Sequence, residues 1–138
     1  MLFEAKLRVE KNLDSGEQKE VREHYIMDAE LFAEAEKMMF ELYPNQTIDV
    51  FSVARSDIRE IINEKEEDKS FFKATVIDVF TDDETGKEKE TKYYMLVCAE
   101  NVVEATLLVN EYLKQGYNLR LDGIKRVKIL DYIPYQPE

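Results

Sequence analysis

The chain has 138 residues, of which 44% are hydrophobic and 36% are charged. This length is typical of one domain or of two small ones, and the composition is that of a globular chain with a substantial core. The net charge of −11 argues against a protein that grips nucleic acid through its phosphates or lies on an anionic membrane. It is compatible with a basic protein partner.

The first strand is predicted from the stretch FEAKLRVEK at residues 3–11. Apolar and charged side chains alternate there, which is typical of a half-buried strand. The next residues, NLDSG, predict a turn that ends at Gly16, and KEVREHYIMDA predicts a returning strand. The beginning of the chain has no long apolar run, so we expect neither a signal peptide nor a membrane span.

A helix is predicted next, because apolar side chains recur at helical spacing from Phe32 to Tyr43. Leu31 is a poor N-cap, so the helix is expected to start instead from Asp28. Pro44 ends it. One extended segment, TIDVFSVARSDIREII at residues 47–62, closes this half of the chain.

The second half repeats this order after the charged stretch EKEEDK at residues 64–69, which reads as a solvated linker. FFKATVIDVF and KEKETKYYMLVCA predict a second hairpin, with Gly86 in its turn. Asn101 with Glu104 predicts a capped helix start. The last extended segment, residues 118–133, is expected to break into two short strands at Asp122–Gly123.

The two halves therefore read as a duplication. When residues 16–43 are shifted by seventy positions onto residues 86–113, eight of the 28 pairs are identical, against about two or three expected by chance. We predict an α+β fold with two tandem β-β-α-β repeats, residues 1–63 and 70–138, joined by the linker at 64–69. The repeats are expected to form one globular unit with pseudo-two-fold symmetry and helices packed on antiparallel sheet.

Few residues suggest chemistry. His24 lies on the polar phase of its strand and reads as a surface residue, and Cys98 lies in an apolar run and reads as a packed residue. A single cysteine allows no disulfide within the chain and fits a reducing cytoplasm. The acids Asp82 to Glu84 crowd a predicted turn, where an incidental ion site stays open. Phosphate-loop and nucleophile-elbow motifs are absent from the sequence, so we predict no catalytic residues, no metal site, no cofactor and no enzyme.

The second hairpin differs from the first in the alternate side chains that are expected to point toward solvent. The first carries mostly charged side chains there, whereas the second carries a set of apolar ones that we take as candidate interface residues: Phe71, Ile77, Val79, Tyr94 and Leu96. A monomer rarely exposes so large an apolar face. Two interpretations stay open, an asymmetric core and an interface with a subunit or partner.

Tyrosines supply a second set of candidates, because their rings stack on flat ligands. Tyr25, Tyr93 and Tyr132, with Tyr94 beside them, are candidate ligand-stacking residues at a cleft between the repeats.

The pattern FEAKLRVEK…G…K.V.E.Y…DA..F.EAE, clearest over residues 2–36, resembles a family of small uncharacterised proteins from gut Bacteroidetes and their phages. The family is catalogued as a domain of unknown function. The resemblance covers nearly the whole chain and implies an intracellular protein of the bacterial cytoplasm, or of the host cytoplasm if it is phage-encoded. It brings no activity and no catalytic residues.

The predicted function is that of a non-enzymatic interaction protein that self-associates or binds a protein partner through the apolar sheet face. One alternative is an acidic phage-type inhibitor that mimics nucleic acid and blocks a host defence protein. Another is a binder of small, nucleotide-like molecules at the cleft between the repeats.

Overall fold

A computed structural model describes residues 1–116 and 118–135. The described residues form these elements: β1 Leu2–Asn12, β2 Gln18–Asp28, α1 Phe32–Leu42, β3 Ile48–Arg55, β4 Ile58–Ile61, β5 Ser70–Thr81, β6 Glu88–Ala99, α2 Val102–Leu113, β7 Leu119–Arg126 and β8 Asp131–Ile133. Two helices and two largely antiparallel sheets confirm the predicted α+β class. Within the described residues, neither helix is long and apolar enough to cross a membrane.

The chain divides into two compact units. Unit 1 comprises residues 1–56 and the segment from residue 129 onward, and unit 2 comprises residues 57–128. Their boundaries differ from those of the predicted repeats, because β4 of the first half belongs to unit 2 and β8 of the second half belongs to unit 1. The repeat boundaries at residues 63 and 70 stay a prediction about the sequence.

Unit 1 contains a four-stranded sheet in the order β3-β1-β2-β8. β1 is antiparallel to β2 and to β3, whereas β8 is parallel to β2. The alternation of β1 places Phe3, Leu7 and Val9 on the face that packs against Ala35 and Met39 of α1. All five side chains are buried, and each large one contributes about 1.5–3 kcal/mol to folding.

Unit 2 has a sheet of the order β4-β6-β5-β7, in which β5 is antiparallel to β6 and β7 and the short β4 is parallel to β6. Phe72, Val76 and Val97 pack against Ala105 and Val109 of α2. Each unit is thus one helix on one face of a four-stranded sheet.

Both closing segments differ from their predictions. The segment at 47–62 is two strands in two sheets, because the chain leaves the first sheet at Ser56, whose N–H bonds the carbonyl of Leu2, and Asp57 then pairs with Lys73 in unit 2. Asp122–Gly123 does not break β7. The strand continues through a bulge, in which Thr75 pairs with Gly123 and the next residue pairs with Leu121.

The two helices begin differently. Asn101 caps α2, since its side chain accepts a hydrogen bond from the N–H of Glu104 at 2.9 Å, and the Glu104 carboxylate accepts from the N–H of Glu100. This confirms the predicted capped start of the helix. The predicted start of α1 from Asp28 is wrong. Extended Leu31 holds the N-cap position and makes no capping side-chain bond, because the chain stays in β2 up to Asp28.

The glycines of the two hairpin turns have the expected role. Gly16 (φ 86°) and Gly86 (φ 70°) both adopt the left-handed conformation that glycine tolerates best. The N–H of Gly16 bonds the carbonyl of Leu13, and the N–H of Gly86 bonds the carbonyl of Asp82. Each glycine therefore sits at the exit of a hydrogen-bonded turn.

Candidate functional site

A pocket of about 330 Å³ opens in unit 2 beside the C-terminal end of α2. Strands β4, β5, β6 and β7, helix α2 and the residues after α2 line it. We call it the Tyr93–Tyr112 pocket, and its lining residues are Arg59, Glu60, Asp78, Tyr93, Met95, Tyr112, Gln115, Gly116 and Leu119. Gly116 allows a close approach there, because a Cβ at this position would lie 2.4 Å from Cδ1 of Leu119.

Two tyrosines form the aromatic part of the pocket, and charged side chains of β4 hold both. The guanidinium carbon of Arg59 lies 4.6 Å from the ring centroid of Tyr93. The hydroxyl of Tyr112 donates a 2.6 Å hydrogen bond to Glu60. These contacts fix the rings and leave few rotamers to be lost when a ligand binds.

The tyrosine hydroxyls stay protonated over a wide pH range. Burial raises the pKa of Tyr93, and the charges of Asp78 and Glu60 add to this against the lowering effect of Arg59. The hydrogen bond to Glu60 raises the pKa of Tyr112. Both rings therefore remain neutral hydrogen-bond donors near neutral pH.

Asp78 is the unusual member of the pocket. It lies in register on β5 with the buried Phe72 and Val76, on the face that packs against α2. Its side chain is half-buried and makes no ion pair or hydrogen bond with any residue that the structure describes. A carboxylate in such a place is costly unless something pairs with it.

Unit 1 contains a carboxylate on the equivalent face that is fully paired. Glu23 is buried and accepts hydrogen bonds from Lys11 Nζ at 2.8 Å, from Tyr25 at 3.0 Å and from Tyr43. Burial opposes its ionisation, but the three donors outweigh burial and hold the pKa of Glu23 below its usual value. The bond to Glu23 raises the pKa of Lys11, so both partners stay charged.

An open polar groove of about 560 Å³ lies beside this cluster, lined by Glu10, Lys11, Asn12, Gln18, Tyr43, Gln46 and Thr47. Burial, followed by the charge of Glu23, raises the pKa of Tyr25, whereas burial, followed by the hydrogen bond to Glu23, raises that of Tyr43. The ammonium of Lys11 is already bound to Glu23. Besides the carboxylate of Glu10, the groove thus offers amide and hydroxyl groups.

The sequence analysis missed Asp78 and Glu23. Both are single acids on the inward face of a strand, and the residues two positions before and after them on that face are apolar or aromatic: Val76 and Phe80 around Asp78, and Val21 and Tyr25 around Glu23. That departure from the alternation is visible in the sequence and would have found them. The sequence carries no such signal for Arg59 and Glu60, because they reach the pocket only when β4 pairs with β6 in the sheet of unit 2.

The candidate interface residues do not form an exposed face. Phe71, Ile77 and Leu96 are buried in the single chain, whereas Val79 and Tyr94 are half-buried. Contact with a partner through this set stays a prediction, but these three buried members have almost no surface to offer.

The candidate stacking residues are divided between the units. Tyr93 lines the pocket of unit 2, while Tyr25 is buried in unit 1 with its hydroxyl on Glu23. Tyr132 is half-buried in β8 of unit 1, and Tyr94 has the ammonium of Lys73 4.4 Å from its ring centroid. The structure brings Tyr93 together with Tyr112, which the sequence analysis did not single out.

The remaining candidates have structural contacts. His24 Nε2 lies 2.8 Å from a carboxylate oxygen of Glu4. Cys98 is buried, and the side chain of Asn63 donates to its carbonyl and accepts from its N–H. Asp82 accepts from the N–H groups of its own turn and pairs with Lys89.

The open ion site at Asp82 to Glu84 gains no support, since the Asp82 carboxylate is used by its turn. The contact with Lys89 and the bonds from the turn hold the pKa of Asp82 below its usual value. In the part of the chain that the structure describes, no three His, Cys, Asp or Glu side chains are grouped to hold a metal ion.

Comparison with known proteins finds one family. The model of the domain of unknown function DUF4494 matches residues 1–135. No curated protein and no solved structure matches the chain significantly. The match includes both hairpins, both helices and every residue of the Tyr93–Tyr112 pocket, and the chain belongs to the DUF4494 family.

Proposed function

We propose that the chain is a non-enzymatic binding protein whose Tyr93–Tyr112 pocket holds a small flat ligand with a positive charge or several hydrogen-bond donors. The observation that carries this proposal is Asp78, a half-buried carboxylate without a described partner at the wall of a pocket that also contains two fixed tyrosine rings. The pocket replaces the predicted cleft between the repeats as the place of ligand binding.

The charge of the pocket supports a cation. Asp78 and Glu60 contribute two negative charges and Arg59 contributes one positive charge, which leaves a formal charge of −1. Charges attract more strongly in a partly desolvated pocket than in water. The negative charge would repel a ligand phosphate. Of the predicted nucleotide-like ligands, the pocket therefore favours those that are flat, carry hydrogen-bond donors and lack a phosphate.

The shape of the pocket supports a flat ligand. Its volume of about 330 Å³ is at the lower end of what small-molecule sites require. Arg59 already covers one face of the Tyr93 ring, so a second planar group extends an existing stack of Arg59 and Tyr93. Gln115 and the hydroxyl of Tyr112 add polar atoms at the rim.

Calorimetry with three probes of the same shape tests this proposal. Benzamidine is a flat cation, benzamide is neutral and benzoate is an anion. We expect benzamidine to bind about tenfold more tightly than benzamide, because an ionic partner for Asp78 contributes roughly 1.4 kcal/mol, and benzoate to bind least. Asp78→Asn is expected to remove the preference for benzamidine.

The matched control is Asp122→Asn, which removes the same charge from an exposed position of unit 2 outside the pocket. It is expected to leave all three affinities unchanged. Equal binding of the three probes, or an equal loss in both variants, would contradict the proposal.

Self-association is a further part of the proposal, and exposed apolar side chains support it. Leu31, Phe32 and Phe40 of the α1 region are 61%, 51% and 45% exposed, and such residues on one element favour a protein contact. We expect light scattering to show a concentration-dependent dimer that Phe40→Glu dissociates. A monomer at all concentrations would reject this part and leave the ligand proposal standing.

Two expectations from the sequence are retained as proposals. The acidic decoy of a host defence protein rests on the net charge of −11. An origin in gut Bacteroidetes or their phages, with a cytoplasmic location, rests on the resemblance of residues 2–36.

We also propose that the halves are tandem β-β-α-β repeats whose closing strands were exchanged. The strand orders β3-β1-β2-β8 and β7-β5-β6-β4 support this, because each hairpin has an antiparallel neighbour on one side and a short parallel strand from the other half on the other side. The two antiparallel neighbours, β3 and β7, both carry a bulge. The bulge of β3 lies opposite Lys6 and Leu7 of β1, and that of β7 lies at the equivalent place, opposite Thr75 and Val76 of β5.

A further inference from the structure

Unit 1 pairs its inward carboxylate with a cation of its own. The side chain of Lys11 on β1 reaches Glu23 on β2, and its Nζ lies 2.8 Å from the carboxylate. The same ammonium lies 5.8 Å from the ring centroid of Tyr43, the residue that follows α1. A long aliphatic stem that ends in a cation therefore meets a carboxylate beside a tyrosine ring.

The bulges show which residue of unit 2 corresponds to Lys11. The register with the bulged neighbour changes directly before Leu7 of β1 and directly before Val76 of β5. The residue four positions after Leu7 is Lys11, and the residue four positions after Val76 is Phe80. Both lie opposite a lysine of the returning strand. Phe80 thus takes the place of Lys11 in unit 2.

This exchange leaves the carboxylate of unit 2 without an internal cation. Asp78 lies two residues before Phe80 on the same face of β5, and it forms no ion pair within residues 1–116 and 118–135. Lys89 lies opposite Phe80, but its ammonium is bound to Asp82 at 2.6 Å. What Lys11 supplies within unit 1 must therefore come to Asp78 from a ligand.

We infer, on the basis of the proposed function, that the cation in the Tyr93–Tyr112 pocket is the side chain of an arginine residue of a protein partner. A guanidinium is flat and can donate two parallel hydrogen bonds to the carboxylate of Asp78. The ring of Tyr93 already has the guanidinium carbon of Arg59 4.6 Å from its centroid, so this kind of group stacks on that ring.

The rim of the pocket favours a residue of a protein over a free small cation. The ring of Phe80 is 45% exposed and is not part of the pocket lining. A ligand that contacts both Asp78 and Phe80 must therefore extend beyond the pocket, as a peptide with an apolar residue beside its arginine does. The net charge of −11 attracts basic proteins.

An NMR titration of the whole chain with two peptides tests this inference. One is GLRLG, and the other has citrulline in place of the arginine, which keeps the length and the shape of the side chain but removes its charge. We expect GLRLG to bind about tenfold more tightly, because only its guanidinium forms an ion pair with Asp78. We expect weaker binding of GLKLG, whose ammonium is not planar, and of arginine amide, which does not reach Phe80.

The variant Phe80→Lys gives unit 2 the internal cation that unit 1 has in Lys11. Its ammonium is expected to pair with Asp78 and to weaken the binding of GLRLG about tenfold. The control Leu107→Lys adds the same charge at an exposed position of α2 outside the pocket, and it is expected to retain binding. Circular dichroism shows whether both variants are folded. Asp78→Asn is a second variant, which is expected to remove the preference for arginine over citrulline.

Equal binding of the arginine and citrulline peptides would overturn the inference, as would an equal loss in Phe80→Lys and Leu107→Lys. Binding of GLKLG or of arginine amide as tight as that of GLRLG would also overturn it. Benzamidine separates this result from the proposed function. If benzamidine binds and GLRLG does not, the pocket takes a small cation but no arginine of a partner, whereas if neither binds, the proposed function fails as well.

Discussion

Replacing Glu23 by alanine is expected to lower the free energy of unfolding by about 3 kcal/mol. The substitution leaves the hydroxyls of Tyr25 and Tyr43 and the ammonium of Lys11 without their shared acceptor. Each buried donor left unpaired costs roughly 1–3 kcal/mol, and the Lys11 contribution is smaller because that side chain is 44% exposed. Urea denaturation measures the change.

The conservative variant Glu23→Gln separates charge from hydrogen bonding. It retains an acceptor for the tyrosine hydroxyls, and its free energy of unfolding is expected to fall by about half as much as that of Glu23→Ala. Because the folded pKa of Glu23 is below its ordinary value of 4.5, its charge stabilises the fold above that pH. This contribution is lost as the pH falls through the folded pKa. The difference between the wild type and Glu23→Gln should therefore shrink as the pH falls below 4.5, and a constant difference would contradict this role.

Replacing Leu96 by alanine is expected to cost about 3 kcal/mol, because its side chain is completely buried and the change leaves a cavity. The control is Leu107→Ala on α2, a position that is 66% exposed and is expected to change stability by less than about 0.5 kcal/mol. Thermal unfolding of both variants gives the comparison.

This pair of variants also decides between the two interpretations of the apolar phase. If Leu96→Ala unfolded like the wild type while it weakened self-association, Leu96 would be an interface residue rather than a core residue. The structure predicts the reverse: a loss of stability that does not depend on protein concentration.

Local patterns made much of the fold predictable. The alternation around Leu7, the glycines at residues 16 and 86 and the Asn101 cap are short-range signals, and the structure agrees with each. The destination of the closing strands was not predictable, since β4 and β8 have only four and three residues and their pairing depends on tertiary contacts.

The candidate site was predictable only in part. Tyr93 was among the candidates because it is aromatic, but Tyr112 reads simply as part of the apolar stripe of α2. Arg59 and Glu60 reach the pocket only through β4. Asp78 was not among the candidates, although its departure from the apolar inward face of β5 is visible in the sequence.

The central proposal is that the Tyr93–Tyr112 pocket binds a flat cation, and NMR of the chain with 13C-labelled tyrosine tests it most directly. On titration with benzamidine we expect the ring signals of Tyr93 and Tyr112 to shift together and to saturate, while those of Tyr25 and Tyr43 in unit 1 stay in place. Shifts confined to unit 1, or no saturable shift of Tyr93, would contradict the proposal.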